Sequence, residues 1–469
     1  MGSVMVGACG RWRYGRARSF WGCIQKGCAV LKALSLSLPG LKALAHPLPG
    51  LRSACPPTMK LLQLSSALLA ASCAQATVID RRQSPGGGFG DGQPIDGSGK
   101  GAPITGGTNH QIDLQNPDNL GQQSTDNGVV PNLKWSFSDS HTRILKGGWV
   151  RESVVTDLPS SGDIAGAQQH LTKGSIRELH WHRVAEWGYL YTGSIIISAV
   201  DQDGKFEVAK LEEGDVWYFP KGIAHTVQGL EDENEFLLIF DDGNFDAVGT
   251  TFNVDDWITH TPKSVLAKNF GLPESVFGTV PSPNPYILNA TLDPHNVTGG
   301  NGPLTGNASY AYYAKDHPLE NVPGEGGTLR IIDSTTFPVA TTIAATVVTL
   351  TPGGLRELHW HPNAEEWLYF HKGQGRATVF IGNSAARTFD FRAGDTGVFP
   401  DNSGHYIENT SDTEDLVWIE IYKSDRVEDI SLTQWLALTP ADIVANTLKI
   451  PLDVAEGLVK EKQLLIKDR

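Results

Sequence analysis

The stretch Gly174-Ser175-Ile176-Arg177-Glu178-Leu179-His180-Trp181-His182 returns as Gly353-Gly354-Leu355-Arg356-Glu357-Leu358-His359-Trp360-His361, 179 positions later. Other landmarks keep nearly the same offset: Ile164-Ala165 with Ile343-Ala344, Gly193 with Gly373, His225 with His405, Trp257 with Trp435, and Thr261-Pro262 with Thr439-Pro440. A repeat this long is a duplicated domain, since solenoid units run to roughly 20–50 residues. Inside each copy, short apolar or alternating runs are broken by Gly, Asp and Pro. Val150 to Val155, Trp187 to Tyr191, Ile195 to Val200, Val216 to Phe219 and Glu235 to Phe240 are examples. Runs of this kind predict the strands of a sandwich or barrel. Asp255 to Phe270, closed by Gly271, predicts a helical patch behind them. The chain therefore reads as all-β, two tandem barrels each with a small helical tail.

The repeat frame sets the boundaries. The first barrel spans 132–280, and 311–469 holds the second with its tail. Between them, 281–310 is a Pro- and Gly-rich linker carrying acceptor sequons at Asn289, Asn296 and Asn307, while a fourth, Asn409, lies beside a candidate ligand. Residues 77–131 form a Gly/Pro-rich arm without a hydrophobic period. Ahead of the arm, Met59-Lys60, the apolar run Leu61 to Ala71 and Ala74-Gln75-Ala76 predict a secretory signal over 59–76. The run is shorter than the ~20 apolar residues that a membrane-spanning helix needs. Arg81-Arg82 reads as a propeptide processing site. Residues 1–58 contain no acidic residue and read either as a targeting segment or as an over-extended reading frame. The second reading is favoured, because a complete signal begins at Met59.

All five cysteines precede Arg82, so the chain beyond it has neither disulfides nor a catalytic thiol. Beyond Arg82 there are 27 basic and 51 acidic residues, a formal net charge of −24. That balance argues against nucleic acid or an anionic membrane as partner.

The chemistry lies in two clusters per copy. Gly174-x5-His180-x-His182-x3-Glu186-x6-Gly193 is followed by Gly214-x5-Pro220-x-Gly222-x2-His225. Residues i and i+2 of a strand share a face, so His180 and His182 can both point into a barrel. Three imidazoles and a carboxylate suit a divalent transition metal and leave two cis positions open on an octahedral ion. The second copy supplies His359, His361, Glu366 and His405. Its glutamate comes five positions after the second histidine, not four, so the Pro362-Asn363 turn must intervene and Glu366 must open the next strand. Glu365 is the neighbouring candidate, but Glu366-Trp367 matches Glu186-Trp187. A lone histidine on an apolar strand is usually a packed, hydrogen-bonded one. Two His-x-His-Glu-His sets in one repeat frame favour ligands. Trp181 and Trp360, between the histidines, alternate outward and read as packing residues.

At these residues the chain resembles the cupin superfamily, with Gly229 where an Asn is usual and Asn409 keeping it. Over about 130–465 it is more closely similar to the oxalate decarboxylase family of bicupins. Arg-Glu-Leu-His-Trp-His in both copies, Phe240-Asp241-Asp242-Gly243 and Ser431-Leu432-Thr433-Gln434-Trp435-Leu436 carry that likeness. The resemblance implies two cupin (double-stranded β-helix, jelly-roll) barrels and one Mn ion per barrel. It further implies cleavage of oxalate to formate and CO2 with O2 as co-catalyst or co-substrate, and association into a homo-oligomer. It assigns active-site roles to Arg177 and Arg356, although strict strand alternation would turn both away from the ligand face. Glu420, fifteen positions after His405, matches a family glutamate near the second metal, and Phe240 stands fifteen positions after His225. The family's decarboxylases place a proton-donating glutamate in a flexible loop after Phe-Asp-Asp-Gly. Here the loop reads Asp246-Ala247-Val248-Gly249-Thr250-Thr251, similar to bicupin oxalate oxidases, and Asp246 is the remaining acid. Decarboxylase is the first reading and oxidase, giving CO2 and H2O2, the alternative. A non-catalytic storage or ligand-binding bicupin is the third, and it conflicts with two complete ligand sets.

Overall fold

The computed structural model describes residues 125–290 and 297–467. The readings on 1–58, 59–76 and Asn296, and most of the 77–131 arm, fall outside the described residues.

Each half folds the predicted runs into two antiparallel sheets that face one another. In the first half, Ile176–His182, Ala224–Gly229, Ser194–Val200 and Phe206–Glu212 form an outer sheet. Its inner sheet holds Val216–Phe219, Glu186–Thr192, Asn234–Phe240, Ala165–Leu171 and Gly148–Ser153. The second half repeats this plan, with Leu355–Trp360, Gly404–Asn409, Gln374–Phe380 and Ala386–Arg392 outside. Asp395–Phe399, Glu366–Lys372, Leu416–Tyr422, Ala344–Leu350 and Gly327–Ile332 lie inside. Alternation explains the burial: in Ser194–Val200 the side chains of Ile195, Ile197 and Ala199 enter the barrel core. Gly193, at the tight link before that strand, has φ +84°, and a Cβ there would lie 2.3 Å from the Glu233 carbonyl oxygen.

The two inner sheets pack against each other through Trp187, Leu237 and Ile239 of one barrel and Trp367, Ile419 and Ile421 of the other, all fully buried. Burial of each such side chain contributes about 1.5–3 kcal/mol. Gln168 crosses this apolar layer to donate to the Tyr369 hydroxyl at 2.6 Å. The chain also exchanges edges. Lys134–Ser136 pairs with Asp395–Phe399 of the second barrel, and Ala311–Tyr312 pairs with Val216–Phe219 of the first. Residues at the start of the 132–280 and 311–469 segments thus complete the opposite barrel's inner sheet. Buried Lys134 secures the first exchange with an ion pair to Asp395 at 2.7 Å.

Within the expected loop 281–310, Ile287–Leu288 forms a short strand against Ile176–His182. The expected helical patch is two helices, Val254–Thr259 and Lys263–Phe270, interrupted at Pro262, which lacks the N–H a continuous helix requires. Gly271 ends the second in the left-handed conformation. The second tail breaks likewise at Pro440, between Leu432–Ala437 and Ala441–Leu448.

Candidate metal centres

His180 and His182 lie two apart on one outer strand, and His225 faces His180 in direct register from the next. Glu186 opens the inner strand Glu186–Thr192, so the barrel closes a carboxylate from one sheet onto three imidazoles from the other. The donor atoms of these four buried side chains all lie within 4.8 Å of one another. His359, His361, Glu366 and His405 form an equivalent buried set in the second barrel. Glu366 does begin a new strand after the Pro362-Asn363 turn. Glu365 turns instead toward Asp163, whose backbone N–H it accepts at 3.3 Å.

The donor chemistry fits a divalent metal. His180, His225, His359, His405 and His361 each donate Nδ1–H to a backbone carbonyl, at 2.5, 2.8, 2.6, 2.9 and 2.7 Å respectively. A carbonyl only accepts, so in each neutral ring the Nε2 lone pair is left facing the centre. His182 is the exception, with Nδ1 at 3.0 Å from the Thr251 hydroxyl. The Nε2 atoms of His359 and His405 stand only 3.1 Å apart, close enough for one ion to be shared by both. His182 Nε2, His225 Nε2 and both oxygens of Glu366 are buried without hydrogen-bond partners. Such groups are costly to bury unless a cation joins them.

Electrostatics separates the two centres. Burial holds His180 and His359 well below the ordinary histidine range, with Arg177 and Arg356 adding to it. Burial also brings His182 down to about 4 against the pull of Glu186. His361 moves the other way: burial would lower it, but Glu366 and Glu420 outweigh that and hold it above its ordinary value. Burial works against the charges of Glu186 and Glu366, yet the neighbouring histidines keep both carboxyls below the usual range.

Arg177 and Arg356 are both buried, and the alternation argument against them fails for a definite reason. Between the His180–His225 and Arg177–Val227 pairs the register shifts by one, and between His359–His405 and Arg356–Ile407 it shifts likewise. The extra residue of a β-bulge reverses the alternation phase, so an arginine three positions before a histidine turns inward with it. Leu179 and Leu358 are the residues left exposed.

The surroundings of the arginines differ. Arg177 donates from Nη1 to Asn253 at 3.2 Å, lies 3.9 Å from Glu178, and stacks its guanidinium 3.7 Å from the Tyr286 ring. Arg356 pairs with Asp429 at 2.8 Å from Nη2 and with Glu420 at 3.5 Å from Nε. Glu420 also accepts from Trp418 at 3.2 Å and from Tyr422 at 2.8 Å. Burial raises the Glu420 carboxyl despite Arg356.

The expected match of Phe240 with Glu420 needs correction. Phe240 pairs with Glu186, whereas Tyr422 pairs with Glu366, so Phe240 corresponds to Tyr422 and Leu238 to Glu420. The segment from His405 to the next inner strand is two residues longer than that from His225, which misaligns a simple count. Asp246 is exposed, outside the ligand cluster, and lines a cavity of about 310 Å³ with Arg143, Glu152 and Tyr286. Burial raises Glu152, and Asp246 adds to the rise. The lid instead turns Phe245 inward, 3.4 Å from the Phe240 ring centroid and 5.2 Å from that of His182.

Sequence reasoning missed Trp217, whose Nε1–H donates to Glu186 at 3.0 Å, along with Thr251, Asn253, Tyr286, Asp429 and Tyr422. The repeat frame could have raised Tyr422, had the two-residue insertion been recognised. No local motif marks Trp217 or Tyr286.

The two halves, residues 136–276 and 314–454, each match the cupin family model. A probable oxalate decarboxylase of Arthroderma benhamiae is 61% identical over 86% of this chain and all of its own length. The structure of oxalate decarboxylase from Bacillus subtilis at pH 4.6 superposes with a TM-score of 0.73 at 44% identity, over 80% of this chain and 98% of that one. Another structure of the B. subtilis enzyme, from work on its Mn(II) centres, has a TM-score of 0.73 at 42% identity, covering 81% of this chain and 100% of that one.

Proposed function

The chain belongs to the oxalate decarboxylase family of bicupins, and from that premise we propose that it converts oxalate to formate and CO2 at a manganese centre of the first barrel. The observation that carries this reading is a buried, cationic Arg177 beside a complete three-histidine, one-glutamate set. Manganese, one ion per barrel, would supply a Lewis-acidic and redox-capable anchor for the substrate, with O2 as co-catalyst. The overall step, C2O4²⁻ + H⁺ → HCO2⁻ + CO2, breaks the C–C bond and forms one C–H bond.

Arg177 pairs with the carboxylate that stays behind and polarises it, the role suited to a planar guanidinium fork. Asn253 and Tyr286 hold that fork in place. Phe240 and Phe245 keep water from the reacting carbon. Asp246 is the lid acid within the chain's reach, and it must turn inward to deliver the proton. Because the lid presents Phe245 inward and Asp246 outward, an oxidase outcome with two CO2 and H2O2 is the second reading. General-acid help is worth about 10²–10⁴-fold, enough to decide between the two.

We also propose that the protein is secreted. Asn289 and Asn307 are exposed and open to glycosylation. Asn409 is buried, its amide donating to the carbonyls of Leu350 and Glu414. Exposed Trp257 and Trp435 on the helical tails support a homo-oligomer.

Quantifying formate, CO2 and H2O2 from Mn-loaded protein in air at acid pH tests the proposal. One formate per oxalate with little peroxide is expected, and Asp246→Asn should shift product toward peroxide. Neither product, with both metals bound, would overturn it.

A further inference from the structure

We infer that Asp429 is a specificity-determining residue: by occupying the arginine fork of the second centre, it keeps oxalate out and restricts substrate binding to the first. The inference rests on the oxalate reading above. It starts from the way a guanidinium recognises a carboxylate, through two N–H groups on adjacent nitrogens. Arg356 gives Nη2 to Asp429 at 2.8 Å and Nε to Glu420 at 3.5 Å. Nη1 is buried and has no hydrogen-bond partner among the described residues. The Nε–Nη2 edge, the side-on fork that an incoming carboxylate would use, is already filled.

The charge around Arg356 agrees. Asp429 and Glu420 oppose one buried arginine, and Lys462 pairs with the far oxygen of Asp429 and pins it from the C-terminal segment. Arg356, Asp429 and Lys462 line a cavity of about 510 Å³, roomy enough for a small dicarboxylate to reach the arginine. In the first barrel the contacts of Arg177 to Asn253 and Glu178 both use Nη1, which leaves its Nε–Nη2 edge without an ion pair. The register explains why. Asn253 pairs with His180 and Ser431 with His359, so Thr251 stands where Asp429 stands in the second barrel.

Anaerobic calorimetry of protein carrying two Mn per chain, titrated with oxalate, tests this. Wild type should bind one oxalate per chain, Asp429→Asn two, and Asp429→Glu one. The EPR signal of the second Mn should respond to oxalate only in Asp429→Asn. The reciprocal Thr251→Asp, checked for metal content, should reduce binding to zero. Two oxalates per wild-type chain would overturn the inference, as would one per Asp429→Asn chain with both metals retained. So would an unchanged stoichiometry in metal-loaded Thr251→Asp. If Asp429→Asn loses its second metal, the Thr251→Asp result decides. Absence of oxalate binding in wild type and every variant would instead remove the oxalate reading itself.

Discussion

In the first barrel Gly188 lies opposite Trp217 on the inner sheet; in the second, Leu368 lies opposite Gly397. The bulk has changed sides. A Cβ on Gly188 would sit 2.1 Å from the Trp217 ring, so the glycine is what lets the indole lie flat and donate to Glu186. The second barrel has no indole there and uses Trp418 to bond Glu420 instead. The same ligand set is therefore supported in two ways: the first centre has its metal carboxylate oriented and its arginine open. The second has its arginine neutralised and an extra buried carboxylate beside His361. A duplicated fold can hold first-contact ligands constant while the residues behind them assign different tasks.

Four measurements would break or sharpen that contrast. Arg356→Ala should cost the most stability, about 3–5 kcal/mol, because it strands Glu420 as a buried charge without an ion-pair partner and leaves Asp429 to Lys462 alone. Arg177→Ala should lose much less stability but lower kcat about 10²–10³-fold, as expected for removal of one electrostatic donor. Denaturant unfolding and steady-state kinetics on both variants separate the two effects, and a reversed pattern would place turnover in the second barrel.

In the metal-free protein the depressed metal-site histidines should withdraw about 2–3 kcal/mol of stability between pH 6.5 and 5.5. That loss is partly offset by Glu178 and Glu365, which burial raises to about 7 and which take up protons in the folded chain. His180, His182 and His359 stay neutral in the folded state over that range but gain protons on unfolding, so acid favours the unfolded chain. His361, held above its ordinary value, works slightly in the opposite direction. Two of the three depressed rings belong to the first centre, so His182→Gln should flatten the profile, as followed by urea unfolding at each pH. The smallest effect is expected for Trp217→Phe, about a tenfold weaker first-centre metal affinity with the second unchanged. Chelator competition read by Mn EPR would detect it.

Much of this molecule was legible as pattern. The 179-residue repeat emerges when the chain is compared with itself, and the strand runs and the spacing inside each ligand motif are local properties. The order of the two barrels and the choice of Glu366 over Glu365 follow from the same locality. Three matters escaped it. A bulge of one residue inverted the predicted orientation of Arg177 and Arg356, because alternation holds only while the register does. A two-residue difference in one loop made Phe240 look equivalent to Glu420, when strand pairing equates it with Tyr422. The edge strands Lys134–Ser136 and Ala311–Tyr312 crossed to opposite barrels.

The sequence by itself determined the duplicated all-β plan and the donor set of each centre, since residue type and short-range periodicity are enough to specify them. Only the tertiary structure decided which arginine is free to meet a carboxylate. That depends on Asp429, Lys462 and Asn253, residues tens of positions away whose charges and hydrogen bonds act through space.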